Sequence, residues 1–381
     1  MPGADKPIAS ESLAGGRTPT PANRFGVDYT AEASRLGTPV RPIIDAHAHI
    51  NGARACTIWR HAADAYGVVK VYSQTQLAEA PAVRRELGDA VEFIAIPEYM
   101  SEDRQKSFTT GFVENLQVWV EEYGARCVKH WAAPRMWDIA KDFEDPYSVA
   151  ALDGAWRRRV ADRAAELGMM MMAHVADPDT WFATRYADAG IYGTKDEQYE
   201  RLERMLESYD MPWLIAHMLG SPEDLARVAG IMRRYPKVVL DTSATKWMVR
   251  ELSRHPDAEI VAFLTEFEGR VLFGSDIVTS DEHLTPSDPD SPRFGVQLAS
   301  SEEEAFDLYA SRYWALRTMF ETDYEGESNI ADPDLMMVDP ANHDAMSAPT
   351  LRGRSLPREM LEILYGGAAE ATMQKWFDDH R

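Results

Sequence analysis

Two histidines one residue apart, His47 and His49, are the first residues of this sequence whose types and spacing could do chemistry. They lie in an apolar run, 43–50, that is typical of a β-strand. Because side chains alternate between the two faces of a strand, both imidazoles point to the same side. Two imidazoles on one face, with a carboxylate nearby, can bind a divalent metal ion. Two hydrogen-bonded core histidines are the alternative, so the assignment depends on the rest of the chain.

Three further polar residues follow directly after short apolar runs. His174 follows four methionines, which we interpret as a buried strand and not as a thioether metal site. His217 follows Ile215 and Ala216, and Asp276 ends a Phe-Gly-Ser-Asp segment. The chain has only 10 histidines, and packing alone does not readily place four of them at the ends of apolar runs. We therefore predict one site made of His47, His49, His174, His217 and Asp276.

Eight apolar runs would position these residues, and helical segments separate the runs. Strands that alternate with helices predict parallel pairing, and eight such units predict a closed (β/α)8 barrel, a TIM barrel of the α/β class. Catalytic groups of that fold lie at the carboxyl ends of the strands. An open doubly wound sheet is the alternative, but no G-x-G-x-x-G follows the first run. The predicted strands are 43–46, 68–73, 91–96, 126–131, 169–175, 213–218, 238–241 and 271–273.

The flanking regions predict an arm before the barrel and extra helices after it. Residues 1–40 are rich in Ala, Pro, Gly, Ser and Thr and are predicted to be an extended N-terminal arm, and 41–381 a barrel domain that includes C-terminal helices. Polar loops are expected at 278–300 and 325–354, with a helix at 301–321 and a last helix from Leu356. Thr194 begins a capping-box pattern, and Ser221 is the predicted N-cap of the next helix.

Composition narrows the function classes. The chain has 381 residues and a net charge of -22, which argues against nucleic acid as a partner. Its two cysteines, Cys56 and Cys127, fit a reducing compartment, and neither a signal peptide nor a membrane-spanning run is recognisable. We expect a cytoplasmic protein with a small-molecule substrate, and the C-terminal helices and aromatic loops are compatible with a homodimer.

Four motifs resemble those of the amidohydrolase superfamily. The likeness is greatest to the branch that contains aminocarboxymuconate-semialdehyde decarboxylase, resorcylate-type decarboxylases and many metal-dependent hydrolases, and it runs from about residue 42 to the final helix. The motifs are Ile44-Asp45-Ala46-His47-Ala48-His49, Ala216-His217-Met218, Leu240-Asp241-Thr242-Ser243 and Leu272-Phe273-Gly274-Ser275-Asp276.

The resemblance implies that His47, His49, His174 and Asp276 bind one divalent metal and that His217 is an acid/base or a substrate ligand. Three neutral imidazoles and one carboxylate suit zinc, and manganese or iron also fits. Such an ion lowers the pKa of its bound water to about 7. His217, with an unperturbed pKa of about 6.5, could then move the proton. Asp241 is expected to orient a neighbour.

Substrate contacts are expected from the fourth strand and from the loops. Some superfamily branches carboxylate a lysine on this strand so that it bridges two metals, but the branch resembled here works with one. We therefore assign Lys129 to the substrate side, with a structural ion pair as the alternative. Aromatic and cationic loop residues suit a flat, anionic molecule, although such residues also close barrel mouths. The loop residues assigned to the substrate are Arg54, Trp131, Arg135 and Trp181.

These observations favour a metal-dependent hydrolase that uses an activated water on an amide, a lactone or a related bond. Asp276 and His217 would move the protons. The first alternative is a metal-dependent non-oxidative decarboxylase. The second is a barrel that binds a ligand without catalysis, which an intact set of polar ligands argues against. A metal-dependent nuclease is disfavoured by the acidic composition.

Overall fold

A computed structural model describes residues 16–286 and 298–381 of the chain. Its core is a ring of short parallel strands, which pair in the orders β3-β2-β1-β9 and β4-β5-β6-β7-β8. The strands are β1 Ile43–His49, β2 Val68–Ser73, β3 Val91–Phe93, β4 Cys127–Trp131, β5 Met170–His174, β6 Trp213–Ile215, β7 Val238–Asp241, β8 Val271–Leu272 and β9 Ile277–Val278.

Backbone hydrogen bonds join the two groups of strands on both sides. Ala95 donates to the carbonyl of Cys127 (2.8 Å) and accepts from Lys129 (2.9 Å), which links the end of β3 to β4. Ala46 donates to Phe273 (2.8 Å), which links β1 to the end of β8. The ring is therefore continuous, and the predicted (β/α)8 barrel is confirmed.

Helices surround this ring. None of the helices in residues 16–286 and 298–381 combines the length and apolarity that crossing a bilayer requires. The α-helices are α1 Tyr29–Leu36, α2 Ala53–Tyr66, α3 Ala80–Leu87, α4 Arg104–Phe108, α5 Thr110–Tyr123, α6 Met136–Ala140, α7 Pro146–Ala150, α8 Ala155–Glu166, α9 Asp179–Phe182, α10 Ala189–Tyr192, α11 Lys195–Ser208, α12 Leu225–Arg234, α13 Thr245–Trp247, α14 Asp257–Glu266, α15 Glu302–Glu321, α16 Pro333–Val338, α17 Arg358–Glu362 and α18 Lys375–Asp379.

Strand β5 shows how the sequence fills both faces of the barrel wall. Met170 and Met172 pack in the barrel interior, and Met171 packs outward against the helices. A strand buried on both faces carries a continuous apolar run. The methionines before His174 are therefore core residues.

A bulge in β1 sets the direction of the two paired histidines. Ile44 and Ala46 pack inside the barrel, whereas Ala48 packs outside, and the pairing with β2 shifts between Asp45 and Ala48. One extra residue in a strand reverses which side chains face inward beyond it. The bulge therefore turns His47 into the barrel mouth, and His49 follows it on the same side.

The end of the chain closes the amino-terminal mouth of the barrel. Residues 358–379 form one continuous helical segment with two π-helical stretches, Ile363–Gly367 and Glu370–Gln374. Ala368, Met373 and Phe377 from this segment pack against the interior residues of the strands. This segment leaves the opposite mouth, at the carboxyl ends of the strands, uncovered.

The structure corrects several predictions about the flanking regions. Within the predicted extended arm, 16–40 packs on the protein and 29–36 is helical, because Tyr29 is buried against Trp314 of α15. The predicted loop 325–354 contains α16 and a hairpin of Glu325–Glu327 with Thr350–Arg352. Part of the arm, 1–15, and part of the loop 278–300, namely 287–297, lie outside the described residues.

Of the two predicted helix N-termini, the one at Thr194 is confirmed and the one at Ser221 is wrong. The capping box at Thr194 is present, with the side chain of Glu197 accepting from the Thr194 backbone. The N-cap of α12 is Asp224, which accepts from the Arg227 N–H, and not Ser221. The irregular turn after β6 extends to Gly220, so α12 begins later than the sequence pattern indicates.

Candidate metal and substrate site

Three of the predicted residues meet at the carboxyl end of the barrel. Asp276 Oδ1 lies 3.3 Å from His47 Nε2 and 3.2 Å from His49 Nε2. The Lys129 ammonium on β4 lies 3.0 Å from the same His47 nitrogen. The ring of His217 lies 4.9 Å from the ring of His47, measured between centroids. The first strand, β1, and the segment that follows β8 therefore bring His47, His49 and Asp276 together.

Asp241 sets the protonation pattern of two of these imidazoles. Its Oδ2 lies 2.9 Å from His47 Nδ1, and its Oδ1 accepts from the Ser243 hydroxyl. The Ser243 oxygen also lies 2.7 Å from His217 Nδ1. If the serine proton goes to the carboxylate, both neutral rings must carry their protons on Nδ1. Both Nε2 atoms then keep lone pairs, which is the arrangement that a metal or a proton acceptor site requires.

The loop that carries His217 is conformationally strained. His217, Met218 and Leu219 all have positive φ angles (58°, 49° and 64°), and Gly220 follows at 67°. A side chain at Gly220 would overlap the carbonyl oxygen of Ala176. Left-handed backbone is unfavourable for residues other than glycine, and such strain concentrates at functional sites. The strain is compensated in part because the His217 N–H donates to Asp241 (2.9 Å).

A second buried carboxylate, Asp45, links β1 to the loop that carries Asp276. Asp45 accepts from the His47 N–H (3.1 Å), from the Ser275 hydroxyl (2.6 Å) and from the Tyr313 hydroxyl (2.9 Å). Burial raises the pKa of Asp45 to about 6, although these hydrogen bonds lower it. The β1 bulge and the loop before Asp276 are therefore tied to each other and to α15.

His174 belongs to the same cluster of rings but has its own carboxylate. Its ring lies 4.4 Å from that of His217. Its Nε2 lies 2.7 Å from Asp177 Oδ1, and Asp177 also accepts from the Tyr186 hydroxyl (2.7 Å). If His174 donates from Nε2, its Nδ1 keeps the lone pair. A histidine that donates to a carboxylate and binds a metal through its other nitrogen is a common arrangement.

Burial and neighbouring charges set the protonation states in this cluster. Burial lowers the pKa of His49 to about 4 and, together with His174, holds the pKa of His217 well below its usual value. Burial also opposes ionisation of Asp276, but His47 and His49, whose Nε2 atoms lie beside its carboxylate, hold its pKa well below the usual range. For His47, Asp241 and Asp276 outweigh burial and Lys129, so its pKa is raised.

A cavity of about 1240 Å³, lined by described residues, opens above the cluster. Lys129, Trp131 and Arg135 line it, as predicted for substrate contacts. The other two residues assigned to the substrate, Arg54 and Trp181, do not line this cavity. Arg54 lies outside the cavity, where its exposed guanidinium pairs with Glu302.

The other misplaced residue is Trp181. It does not line the cavity, because its indole N–H donates to Asp334 (2.8 Å) and its ring packs behind Trp247 with centroids 6.1 Å apart. The sequence placed Trp181 correctly in the loop after β5. It could not show that Trp247 stands between this loop and the cavity.

Comparison with known proteins agrees with this architecture. The family model described as amidohydrolase (Amidohydro_2) matches residues 37–310, well over half of the chain. The chain belongs to the amidohydrolase family. Comparison with curated proteins gives no match.

Several solved structures are similar to this amidohydrolase at low identity. 4-Oxalomesaconate hydratase from Rhodopseudomonas palustris is 13% identical with a TM-score of 0.42, over 89% of this chain and 97% of its own. 5-Carboxyvanillate decarboxylase from Novosphingobium aromaticivorans, complexed with manganese, is 13% identical with a TM-score of 0.40, over 84% and 79%. A zinc-bound amidohydrolase from Burkholderia multivorans is 15% identical with a TM-score of 0.43, over 88% and 99%. These values assign no reaction to the present chain.

The donor set of this amidohydrolase fits a divalent cation. Donor atoms of His47, His217 and Asp276 lie within 4.8 Å of one another, and His49 reaches the same carboxylate oxygen. Neutral imidazoles and an ionised carboxylate are the forms that ligate a metal. His174 lies beside this group. The group itself includes His217, which the sequence analysis assigned to acid/base chemistry.

Sequence reasoning missed several residues that line the cavity of the amidohydrolase. Trp247 packs against the rings of His217 (5.6 Å) and His174 (6.2 Å). Lys246 and Arg312 line the same wall. The position of Lys246 and Trp247 just after the Asp-Thr-Ser motif of β7 was an available signal, because loops after barrel strands build the site. Nothing in the pattern of α15 distinguishes Arg312 from its neighbours.

Proposed function

We propose that this amidohydrolase is a metal-dependent hydrolase that acts on a small anionic molecule of aromatic size. The observation that carries the proposal is the convergence of Asp276 and His217 on the floor of the cavity. One is an ionised carboxylate and the other a neutral imidazole with its Nδ1 held by Ser243. Hydrolysis needs such a pair, because one group must take a proton from water and another must give a proton to the leaving group.

We further propose that His47, His49 and Asp276 hold one divalent cation, with His174 as the third imidazole. Zinc suits these donors best, and manganese or iron is the alternative. When bound, the cation supplies Lewis acidity toward the substrate oxygen and toward water. The carboxylates of Asp241 and Asp177 support the ligand role of the histidines that they contact.

The remaining residues of the cavity orient the substrate. The Lys129 ammonium is buried beside His47 and can bind a carboxylate close to the reacting atoms. Trp131 and Trp247 present aromatic surfaces against which a flat ring can stack. Asp276 would accept a proton from water at a carboxylate oxygen, and His217 Nε2, which keeps its lone pair, would take up that proton and deliver it to the leaving group.

Non-oxidative decarboxylation is the second candidate, and the position of Lys129 favours it. A buried ammonium 3.0 Å from His47 Nε2 holds a carboxylate at the centre of the site, where a carboxyl group could also be lost. His217 would then take up a proton from the solvent at Nε2 and deliver it to the carbon that carbon dioxide leaves. The two reactions use the same residues and differ in the product.

The test is a product assay on metal-loaded protein with aromatic lactones, amides and carboxylic acids. The proposal predicts acid release from a lactone or amide that is lost in His217→Asn, whereas Arg54→Met, outside the cavity, keeps full activity. Carbon dioxide release without hydrolysis would replace the proposal by its second candidate. Metal titration of His174→Asn and His217→Asn tests the ligand set: the proposed set requires that the first variant weakens binding more than about tenfold. Loss of binding in the second variant alone would make His217, whose donor atom lies with those of His47 and Asp276, the third imidazole.

A further inference from the structure

Two cations line the wall of the cavity that lies across the barrel from Lys129. Lys246 lies on α13, just after β7, and Arg312 lies near the middle of α15. Lys129 lies on β4, on the other side of the ring of strands. We refer to Lys246 and Arg312 as the cation pair. Both side chains line the same cavity as His217 and Asp276.

The cation pair has no carboxylate partner among residues 16–286 and 298–381. Arg312 is only 9% exposed, and within these residues its guanidinium makes one hydrogen bond, from Nη1 to the Ser311 hydroxyl (3.2 Å). Lys246 is partly buried and makes no ion pair or hydrogen bond within the same ranges. A buried guanidinium without a counter-ion is unfavourable, because its lost hydration is not replaced. A ligand with negative charge would compensate that loss.

The carboxylates nearest to the cation pair are already used. Asp332 and Asp334 both accept hydrogen bonds from the guanidinium of Arg250, and Asp334 also accepts from Trp247 (2.9 Å). Asp276 belongs to the metal cluster. Burial and the neighbouring Arg312 charge lower the pKa of Lys246 to about 8, although Asp332 and Asp334 act to raise it. Within the described residues, the cavity wall therefore carries two positive charges that form no direct ion pair.

We propose that the cation pair is an oxyanion subsite that binds a carboxylate or phosphate group of the substrate, distinct from the anionic group held by Lys129. Arginine forms paired hydrogen bonds with such planar or tetrahedral oxyanions, and lysine adds a second charge. With Lys129 holding a first anionic group beside the metal cluster, the substrate class is a dianion. The net charge of -22 makes this local cationic wall a specific feature and not a consequence of composition. The dianion assignment rests on the proposed function, whereas anion binding by the pair does not.

Binding experiments with simple anions test anion binding by the cation pair separately from the dianion assignment. Isophthalate, benzoate and inorganic phosphate would be titrated into the full chain, with and without metal, and followed by calorimetry and thermal unfolding. The variants are Arg312→Met and Lys246→Met, with Lys246→Arg as the conservative change. Arg54→Met is the matched control, since it removes one positive charge outside the cavity. Isophthalate carries two carboxylates and tests the dianion, benzoate tests one group, and phosphate tests the other oxyanion.

The expected result is that isophthalate binds metal-loaded protein, and that either methionine variant weakens it about 10- to 100-fold. Lys246→Arg and Arg54→Met should bind within about threefold of the wild type. In chelator-treated protein, phosphate or benzoate should raise the unfolding temperature of the wild type but not of Arg312→Met. Equal isophthalate binding by the methionine variants and the control would overturn the subsite, as would anion stabilisation that survives Arg312→Met or is absent from the wild type. If these binding results hold while no substrate is turned over, the proposed function fails and the subsite stands.

Discussion

Replacing Asp241 with asparagine should reverse the tautomer of His47 and so weaken metal binding. The Oδ1 position of Asp241 accepts from two backbone N–H groups, those of His217 (2.9 Å) and Ser243 (3.1 Å), and from the Ser243 hydroxyl. Three donors fix an oxygen at that position in Asp241→Asn. The amide NH2 group must then face His47 Nδ1, which becomes an acceptor. The remaining proton moves to Nε2, the atom 3.3 Å from Asp276, and removes its lone pair.

The size of the effect follows from the contact of Asp241 with His47, a proposed metal ligand. Loss of such a carboxylate typically reduces metal affinity 10- to 100-fold, or about 1.4 to 2.8 kcal/mol. Competition of zinc between the protein and a chelator measures this affinity, and nitrogen NMR of the imidazole rings shows which atom carries the proton. Asp307→Asn is the matched control. It changes a buried carboxylate of α15 that contacts Arg17 and Asn23 and does not line the cavity.

A folded Asp241→Asn variant with the zinc affinity of the control would refute the tautomer argument. So would retention of the His47 proton on Nδ1, even if the affinity fell. The thermal unfolding midpoint is needed beside both readouts, because Asp241 also holds the strained loop of His217 through its backbone.

Three further outcomes are expected from other parts of the site. Gly220→Ala should lower the free energy of unfolding by more than about 2 kcal/mol in thermal or urea unfolding, since the residue has positive φ and its new methyl group overlaps Ala176; unchanged stability would contradict this. Asp334→Ala releases the indole N–H of Trp247, and steady-state kinetics should show KM about tenfold higher with a smaller change in kcat; a change confined to kcat would argue against a positioning role. The pKa of His49 is lowered to about 4, so the neutral ring stabilises metal-free protein above pH 6.5 and that contribution, up to about 3 kcal/mol, is lost as pH falls toward 4; equal pH slopes in wild type and a His49→Asn variant would contradict the sign.

Local sequence patterns determined the fold class and the strand ends. Alternation of apolar runs with helical segments predicted the barrel, because a parallel strand needs a crossover helix to return to its neighbour. The five predicted polar residues all follow apolar runs, and in the structure all five lie at the carboxyl mouth. Metal binding and the reaction itself stay predictions. The capping box at Thr194 was also readable, since it depends only on residues three positions apart.

Only the tertiary structure decided how these residues face one another. The bulge that turns His47 inward arises from the pairing of β1 with β2, and period-two alternation cannot reveal it. The role of Asp241 depends on contacts with His47, which is 194 positions away in the chain. Arg54 lies in the first turn of α2 and Trp181 in α9, and both are absent from the cavity lining because partners from α15 and α16 bind them. Sequence specifies which strand end carries a residue, whereas packing between distant segments decides which side chains share a cavity and which charges there have partners.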